Sequence, residues 1–425
     1  MHPILSRLFK FVGYKVIDIK VSTRDNIVTV ILERSPDKLG KCWECGCFLG
    51  RKRGSHPRLV EHLPVMGMTT FIEFKQYKGH CTHCGKARNE HVGFLSKDSK
   101  KFTKLYVDWL SQMCEFACIS RVAKYWDQTK STIRDMDFNV LKRLIAEYKI
   151  PEVTHISVDE VYAFNTPLKK HQSRNDRFYT VISDLNTHKV IWVSEGRSKE
   201  ALDHFYTLIG KKNCKKIQVV AMDQFDGYKL STEENCPNAA VVWDRFHIMK
   251  SLEEAINEER KKLHNDLEND DPLVRLTRGS KRFIFLKKAS RRSLKEQKLI
   301  DQVCADNGKF LQLEIIKEYM FDFFNEPTID DAKDHLDTAT EMAWGTDFDH
   351  LKNWFHNLSL GWETLKNYFT FRVTSALSEG INNVIKTLKR SAYGYRDPVY
   401  FAYKIMQRCG YLNSDHIQPS AAGKK

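Results

Sequence analysis

Short apolar runs recur through the middle of the chain and predict a sheet. The runs are His155–Phe164, Arg177–Leu185, Lys189–Ser194, Ile217–Asp223 and Ala239–His247, and a helical pattern at Lys199–Ile209 separates the third from the fourth. Alternation of apolar and polar side chains, or a short continuous apolar run, is typical of strands with one or both faces buried. Three strands, a helix and two further strands give a mixed α/β order.

The flanking segments carry other periodicities. Residues 15–36 alternate apolar and polar side chains and predict a β-hairpin. Residues 102–148 predict helices, residues 249–370 predict an almost wholly helical segment, and residues 374–391 predict one more helix. The tail from Asn413 is expected to be frayed.

A helix-turn-helix order is present within the first helical segment. A short helix at Ile119–Tyr125, a turn at Asp127–Lys130 and a second helix with a capping hydroxyl at Ser131 follow one another. In such a motif the second helix would present three side chains to the major groove, Lys130, Thr132 and Arg134. A plain helical hairpin fits the same pattern, so both interpretations stay open.

Composition adds a charge asymmetry to this picture. The chain has 425 residues, is 42% hydrophobic and carries a net charge of +14. Residues 1–150 contain 27 Lys and Arg against 15 Asp and Glu, whereas the rest of the chain contains 41 against 39. The N-terminal third is therefore the expected polyanion-binding surface, with nucleic acid as the partner. A generally basic, soluble surface is the alternative.

No segment has the pattern of a signal peptide or a membrane span. The first residues mix apolar side chains with Arg7 and Lys10, and no run approaches the roughly 18 apolar residues of a membrane span. A cytoplasmic location without membrane contact is expected. The 11 cysteines are then thiols or metal ligands rather than disulfides.

Two Cys-x2-Cys pairs stand out among these cysteines. Cys42 and Cys45 form the first pair and Cys81 and Cys84 the second, with 35 residues between the pairs. Paired knuckles of this kind supply four thiolates in the tetrahedral arrangement that Zn²⁺ prefers. We expect a structural zinc site in a zinc-ribbon-like finger, with no open coordination position for chemistry.

The ligand set has alternatives. Cys47 lies two positions past Cys45 and is a candidate to replace it, and His80 and His83 are further candidates. Six other cysteines lie in apolar contexts and are expected to be small core residues. They are Cys114, Cys118, Cys214, Cys236, Cys304 and Cys409.

Two aspartates lie where predicted strands end. Asp159 and Asp223 both come at the C-terminal ends of apolar runs, which is where ligands gather on an open α/β sheet. A site for two divalent cations in phosphodiester chemistry needs oxygen ligands that converge from separate elements. These two aspartates are therefore candidate metal ligands.

A glutamate on a later helix is the third candidate carboxylate. The helix has an apolar stripe that is expected to be buried, made of Leu377, Ile381, Val384 and Leu388. Glu379 lies on the other, polar side, which carries Arg372, Ser375, Asn382, Lys386, Lys389 and Arg390. An ordinary exposed glutamate in surface ion pairs, worth roughly 0–1 kcal/mol, is the alternative interpretation.

Four further stretches carry a family resemblance. They are Ser157-Val158-Asp159-Glu160, Val220-Ala221-Met222-Asp223, Val242-Trp243-Asp244-Arg245-Phe246-His247, and Ser378-Glu379-Gly380-Ile381-Asn382-Asn383 through Arg390-Ser391-Ala392-Tyr393-Gly394-Tyr395. With the cysteine module at 42–84, they resemble the DDE transposases of bacterial insertion sequences, in particular the ISL3 family. The resemblance covers essentially the whole chain after about residue 40, and 378–395 is its most specific part.

The resemblance implies an RNase H-like catalytic core with a helical insertion. In that core the first aspartate lies on the first strand, the second follows the fourth strand, and the glutamate lies on a late helix. Asp159, Asp223 and Glu379 are the implied catalytic triad, and two Mg²⁺ (or Mn²⁺) ions are the implied cofactors. Glu160 and Asp226 are rival ligands close to the two aspartates.

The implied reaction is DNA cleavage and strand transfer. Asp159 would bridge two Mg²⁺ ions roughly 3.5–4 Å apart, with Asp223 holding one ion and Glu379 the other. The expected partners are the inverted repeats at the element's ends and target DNA, bound by a homodimer in the bacterial nucleoid. The main alternatives are a catalytically inactive, transposase-derived DNA-binding protein and a zinc-finger DNA nuclease.

Further side chains are expected near the DNA. Asp244-x2-His247 follows the fifth strand, and related transposases carry a similar pair near the active site. His247 is therefore a candidate to position a scissile phosphate or a water, and a satisfied structural histidine is the alternative. Cationic side chains are expected to neutralise DNA phosphates, namely Arg372, Lys386, Lys389, Arg390 and Arg396.

The expected organisation has seven segments. They are an N-terminal strand region (1–40), the zinc-finger module (41–95), the helix-turn-helix module (100–150), the first part of the catalytic core (151–248), the helical insertion (249–370), the core helix with the glutamate (371–412) and a disordered tail (413–425).

Overall fold

The chain folds into two compact units. A computed structural model of the protein describes residues 11–35, 40–97, 99, 101–163, 174–268, 272–373 and 376–412. The first unit runs to Tyr148 and includes Ser391–Tyr393 and the chain from Val399, and the second comprises Lys149–Arg390 and Gly394–Pro398. The predicted fraying from Asn413 and the predicted strand end at Phe164 lie outside the described residues.

The first unit contains a five-stranded sheet. Its strands are β1 (Tyr14–Ser22), β2 (Ile27–Arg34), β3 (Leu49–Val65), β4 (Met68–Cys81) and β5 (Lys86–Asn89). The order is β1-β2-β4-β3 with β5 on β4, and β2 and β4 are the parallel pair. Because Val30 of β2 and Ile72 of β4 lie in one core, the predicted hairpin and the cysteine module share a sheet.

Three helices follow in the first unit. They are α1 (Lys104–Phe116), α2 (Ile119–Tyr125) and α3 (Lys130–Glu147). Helix α2 has the predicted bounds, with Val122 and Ala123 buried. The cap of α3 differs from the prediction: the Thr129 hydroxyl accepts the Thr132 N–H at 3.1 Å, so the helix begins before Ser131.

A buried charge fixes a fourth helix to this unit. Asp137 of α3 accepts hydrogen bonds from Ser111 at 2.6 Å and from Tyr400 at 2.5 Å, and it pairs with Lys404 at 3.2 Å. Breaking one partner of a buried pair leaves an uncompensated charge, so the pair specifies this docking. The helix Pro398–Cys409 therefore packs in the first unit from Val399 onward, whereas the sequence groups it with segment 371–412.

The second unit is built on another five-stranded sheet. Its strands are β6 (His155–Tyr162), β7 (Phe178–Asp184), β8 (Lys189–Glu195), β9 (Val219–Met222) and β10 (Ala240–Trp243). The order is β10-β9-β6-β7-β8, with β6, β9 and β10 parallel to one another and the other pairs antiparallel. The five predicted strands are therefore present in the predicted chain order.

Two helices connect the later strands. Helix α4 (Lys199–Cys214) precedes β9 and is interrupted at Gly210, whose φ of 75° ends the predicted helix at Ile209. Helix α5 (Asp226–Asn235) lies between β9 and β10 and is absent from the predicted order. Its buried side chains include the polar Ser231 and Thr232, which give no apolar periodicity to detect.

The remainder of the second unit is helical, as predicted. The helices are α6 (Arg245–Asn265), α7 (Pro272–Thr277), α8 (Arg282–Leu286), α9 (Leu294–Asp306), α10 (Gly308–Asp322), α11 (Ile329–Trp344), α12 (Asp349–Leu360), α13 (Trp362–Leu365), α14 (Asn367–Phe371) and α15 (Ala376–Ser391). Their core continues into the sheet through Val242 and Trp243. Within the described ranges, no helix combines the length and the apolar character that crossing a bilayer requires.

The contact between Trp243 and Gly361 leads to a stability prediction. A Cβ on Gly361 would lie 1.8 Å from Cη2 and 2.2 Å from Cζ3 of the Trp243 ring. The Gly361 φ of −89° suits any residue, so the cost of Gly361→Ala is steric. We expect a loss of about 3 kcal/mol in the free energy of unfolding, measured by urea denaturation, because overpacking a rigid ring forces backbone movement.

Gly345→Ala is the matched control. Gly345 also follows a helix, with a φ of −73°, but its added Cβ would meet nothing closer than the Met342 carbonyl at 3.5 Å. Its effect should stay within about 0.5 kcal/mol. Equal losses in the two variants would contradict a steric role for Trp243.

Candidate active site

Asp159 and Asp223 lie side by side in the second sheet, at the place where β9 ends. This place is called the carboxylate edge below. Val158 of β6 pairs in parallel register with Met222 of β9, so the residue that follows each of them emerges at the same level. Val158 and Met222 are almost fully buried, which fixes both strands in the core. The register therefore brings the two predicted aspartates side by side where β9 ends. Asp223 follows the end of its strand as predicted, whereas Asp159 lies within β6, which continues to Tyr162 in its pairing with β7.

The Asp159 carboxylate is held by neighbours from two elements. Its Oδ1 accepts the Glu160 N–H at 2.7 Å, and its Oδ2 accepts a hydrogen bond from Asn382 Nδ2 of α15 at 2.7 Å. Burial raises the pKa of Asp159, and the nearby His247 and the two donors act in the opposite direction. The side chain is thus a buried carboxylate that gains from a nearby cation.

His247 lies between two aspartates. Asp244 caps α6 by accepting the Phe246 N–H at 2.8 Å, which places His247 on the first turn of that helix. The Nε2 of His247 is 3.9 Å from Asp159 Oδ1 and 3.9 Å from Asp244 Oδ2. The Asp244–His247 pair therefore adjoins the carboxylate edge, as the family resemblance implies.

Asp223 is engaged through both oxygens. Its Oδ1 accepts the Phe225 N–H at 3.1 Å, and its Oδ2 accepts a charge-assisted hydrogen bond from Arg197 Nη2 at 2.8 Å. The same Nη2 lies 3.2 Å from Glu160 Oε1. Burial, together with the Asp223 charge, raises the pKa of Glu160 to about 8 against the opposing effect of Arg197. One guanidinium thus serves two carboxylates.

Glu379 lies on the helix that contacts Asp159, but it does not join Asp159 and Asp223 in a three-carboxylate group. It is exposed in the first turn of α15, whereas Asn382, three residues further on, contacts Asp159. Residues three apart on a helix are surface neighbours, with Cβ atoms about 5–6 Å apart. Among the described residues, groups of three or more ligand atoms within 4.8 Å of one another occur only in the cysteine module. The three predicted carboxylates therefore do not form such a group.

The buried face of α15 differs from the predicted stripe. Ile381 is buried as expected, but Ile385 is fully buried and Val384 is 40% exposed. The inward face is thus rotated by about one residue toward the side that carries Asn382 and Lys389. Lys389 donates a hydrogen bond to the Tyr162 carbonyl at 3.2 Å, which ties this face to β6.

The two rival carboxylates have different environments. Asp226 is exposed in the first turn of α5 and points to solvent. Glu160 is largely buried, and its Oε2 has no hydrogen-bond partner within the described part of the chain. A buried carboxylate oxygen without a partner is destabilised until a cation approaches it, and a metal ion or a guanidinium can supply that cation.

Apart from Lys389, the predicted DNA-contacting cations of the second unit fall into two groups. Lys386, Arg390 and Arg396 are exposed. The Arg372 guanidinium instead donates to the carbonyls of Phe324 at 3.1 Å, Glu326, and Pro327 at 3.2 Å, which gives it a structural role. Lys386, Arg390 and Arg396 are free to approach phosphates, whereas Arg372, which is also exposed, would first have to release its carbonyls.

The predicted groove-reading side chains lie at the start of α3. Lys130 and Arg134 are exposed, and Arg134 pairs with Asp135 at 3.4 Å. Thr132 is half-buried, and its hydroxyl lies 2.8 Å from the capping hydroxyl of Thr129. The first turn of α3 thus presents one lysine and one arginine to solvent.

The four predicted zinc ligands converge in the first unit. The Sγ atoms of Cys42 and Cys84 are 3.9 Å apart, those of Cys45 and Cys81 are 3.4 Å apart, and all four lie within 4.8 Å of one another. In both knuckles the next residue is a glycine with positive φ, Gly46 at 75° and Gly85 at 66°, which lets the chain turn back. Four converging thiols fit Zn²⁺.

The alternative ligands form a second, overlapping group. Cys45, Cys47 and His83 also have ligand atoms within 4.8 Å of one another, and His80 joins neither group. The backbone N–H of Cys47 holds the pKa of the Cys45 thiol below its ordinary value. Cys47 thus stabilises the Cys45 thiolate through its backbone N–H. The fourth member of the group with Cys42, Cys81 and Cys84 is Cys45 and not Cys47.

Two side chains at the carboxylate edge were not among the predicted site residues. Asn382 lies on the polar side of the predicted helix and within the motif around Glu379, so its position was detectable. Arg197 follows β8 with no motif around it, and its partners Asp223 and Glu160 lie 26 and 37 positions away. Such a tertiary pairing leaves no local pattern in one sequence.

Two family models match the chain. A model of ISL3 DDE transposases, described as "Transposase", matches residues 156–405. A second model, described as "zinc-finger of transposase IS204/IS1001/IS1096/IS1165", matches residues 38–84. The first match contains the carboxylate edge and the second contains the four converging cysteines.

Individual relatives agree with these models. The chain is 25% identical over 376 residues to the transposase for insertion sequence element IS1001 of Bordetella parapertussis, which covers 87% of this chain and 88% of that protein. It is also 24% identical over 161 residues to the transposase for insertion sequence element IS1557 of two Mycobacterium tuberculosis strains, covering 38% of this chain and 34% of those proteins.

Proposed function

This chain belongs to the ISL3 family of transposases, and we propose that it binds the terminal inverted repeats of an insertion sequence and catalyses Mg²⁺-dependent cleavage and strand transfer. The observation that carries the proposal is the paired register of β6 and β9. It gives Asp159 and Asp223 one common edge, which supports their assignment as metal ligands.

The sheet order supports an RNase H-like core. β6, β7 and β8 form three antiparallel strands, and β9 and β10 lie parallel to β6 on its other side. The first aspartate is on the first strand and the second follows the fourth strand, as the resemblance implies. On this proposal α6–α14 form the insertion, and α15 returns to the core.

The oxygen donors at the edge fit a hard divalent cation. Asp159 and Asp223 supply two carboxylates, and sets made only of oxygen donors suit Mg²⁺. A bound Mg²⁺ pair would stabilise charge on the attacking and leaving oxygens of the phosphodiester. His247, between Asp159 and Asp244, would hold a water or a phosphate oxygen at this edge.

Glu379 enters the site through a change in α15. Asn382 and Glu379 are separated by about 60° around the helix axis and by about 4.5 Å along it, so a rotation combined with an axial shift of those sizes exchanges one for the other toward Asp159. Asn382 then holds the Asp159 carboxylate in place until Glu379 replaces it. In this proposal, α15 is the element whose position decides whether the triad is assembled.

The first unit is the proposed DNA-reading part. Exposed basic side chains lie on β3, on β4 and at the start of β5, namely Arg51, Lys52, Arg53, Lys75, Lys78 and Lys86. Together with Lys130 and Arg134 at the start of α3, they supply cations for phosphates and for the major groove. Binding of both transposon ends by a homodimer completes the proposal.

A cleavage and joining assay tests the function. The purified full-length protein, Mg²⁺ and a labelled duplex carrying the inverted repeats that flank the reading frame should give breaks at the repeat boundary. Joined products should follow when a target plasmid is added. A duplex with scrambled ends is the control.

The other two candidate functions give different products. Binding to the repeats without any cleavage would indicate a catalytically inactive DNA-binding protein. Cleavage without joined products would indicate a nuclease. Either outcome would contradict the proposed transposase activity, whose defining product is the joined strand.

A further inference from the structure

Arg197 is anchored at the carboxylate edge by its own backbone. It follows Gly196, whose φ of 88° turns the chain sharply after β8. The Gly196 carbonyl accepts a hydrogen bond from the Thr180 hydroxyl at 2.7 Å, and the Arg197 N–H donates to the Asn175 carbonyl at 3.2 Å. The backbone at Arg197 is therefore held in place, and this limits the positions that its side chain can reach.

The Arg197 guanidinium is divided between two carboxylates. One nitrogen, Nη2, contacts Asp223 Oδ2 at 2.8 Å and Glu160 Oε1 at 3.2 Å, and the Phe225 ring lies 4.9 Å below. Two buried polar atoms of this group lack a partner within the described residues, Arg197 Nε and Glu160 Oε2. Arg197 Nε is a donor and Glu160 Oε2 is an acceptor, so a hydrogen bond between them would satisfy both atoms.

The unpartnered atoms define a second arrangement. An arginine can bind a carboxylate through two parallel N–H···O bonds, which is stronger and more directional than one shared contact. Among the described residues, Arg197 Nε and Glu160 Oε2 are the unpaired donor and acceptor that such a pair requires. Moving the guanidinium from Asp223 to Glu160 would satisfy both atoms and release Asp223 Oδ2.

A divalent cation at Asp223 favours that movement. On the proposed function, on which this inference rests, the cation and Arg197 both require the same Asp223 carboxylate. Two cations on one carboxylate repel each other strongly in a half-buried site. Glu160 offers Arg197 a new partner without moving it away from the site.

We propose that Arg197 is a positioning residue that competes with the divalent cation for Asp223 and is transferred to Glu160 when the cation binds. The pair thus sets the affinity of the metal site and keeps Asp223 and Glu160 together before binding.

Titration of Mn²⁺ into the zinc-loaded full-length protein, without DNA, tests the competition. Arg197→Gln should lower the Mn²⁺ dissociation constant about tenfold in isothermal titration calorimetry, because a competing charge is removed. Lys199→Gln is the matched control, since Lys199 pairs with Asp203 at 2.9 Å and Glu234 at 2.6 Å and touches no site carboxylate. Its effect should stay below about twofold.

A double-mutant cycle tests the transfer to Glu160. In a Glu160→Gln background Arg197 has no alternative carboxylate and stays on Asp223, so Arg197→Gln should tighten Mn²⁺ binding about a hundredfold there. Equal effects of Arg197→Gln in the two backgrounds would overturn the transfer. Weaker Mn²⁺ binding by Arg197→Gln, with an unchanged thermal unfolding midpoint, would overturn the competition and leave Arg197 as a support for Asp223.

The same titration separates this inference from the proposed function. Asp223→Asn should weaken Mn²⁺ binding in the otherwise unchanged protein. If Mn²⁺ binding does not depend on Asp223, the metal site of the proposed function fails, and the inference fails with it. If binding depends on Asp223 but is not tightened by Arg197→Gln, only the inference fails.

Discussion

Asp159→Asn is expected to lower the rate of Mg²⁺-dependent DNA cleavage at least about a thousandfold, since it removes the charge of the carboxylate proposed to bridge two ions. The substitution keeps the shape of the side chain and an acceptor for the Glu160 N–H, which lies 2.7 Å away. Burial already disfavours the ionised form of Asp159. The fold should therefore survive, and the measurement is the single-turnover cleavage rate on a labelled repeat duplex.

Asp226→Asn is the matched control for this prediction. Asp226 lies three positions past Asp223 but is exposed on α5, so the same chemical change should leave cleavage within about twofold of the unmodified protein. Repeat binding and the thermal unfolding midpoint of both variants should stay close to those of the parent. Equal cleavage by Asp159→Asn and the parent protein would remove Asp159 from the catalytic assignment.

The sheet of the second unit could be predicted because its strands are short apolar runs in a core. All of β9 is buried, and it pairs with β6 as apolar strands at the centre of a sheet do. The end of β9 then locates Asp223, and the parallel register places Asp159 of β6 beside it. In contrast, β3 extends over Leu49–Val65 with only two buried residues, Leu49 and Val60, so its length is set by pairing with β4 and not by its own pattern.

The third carboxylate shows where one sequence stops being informative. The apolar positions of α15 permit two faces, one with Val384 and one with Ile385, and packing against the rest of the unit selects the second. That choice decides whether Glu379 or Asn382 faces Asp159. Arg197 is a stronger case, because its role depends on partners brought near by the sheet. Local periodicity contains neither piece of information.

Cys81→Ser is expected to reduce the zinc content from one ion per chain to none and to unfold the ribbon. Cys81 is fully buried, and the small cluster around it contains few other apolar side chains, chiefly Cys42 and Leu49. Such a module has little hydrophobic stabilisation of its own, whereas structural zinc contributes about 10–16 kcal/mol in zinc-finger peptides. The measurements are native mass spectrometry for zinc and limited proteolysis of residues 40–90.

Loss of the ribbon should also abolish specific binding to the inverted repeats, measured by gel shift at fixed salt concentration. Cys47→Ser is the matched control, because Cys47 groups with Cys45 and His83 and not with the set that contains Cys81. It should retain zinc and bind the repeats. Retention of zinc by Cys45→Ser together with its loss in Cys47→Ser would make Cys47 the ligand instead. Without Cys81, three thiolates remain and one tetrahedral position is left to water, so the site should no longer hold zinc. Retention of zinc by Cys81→Ser would therefore contradict the four-thiolate site.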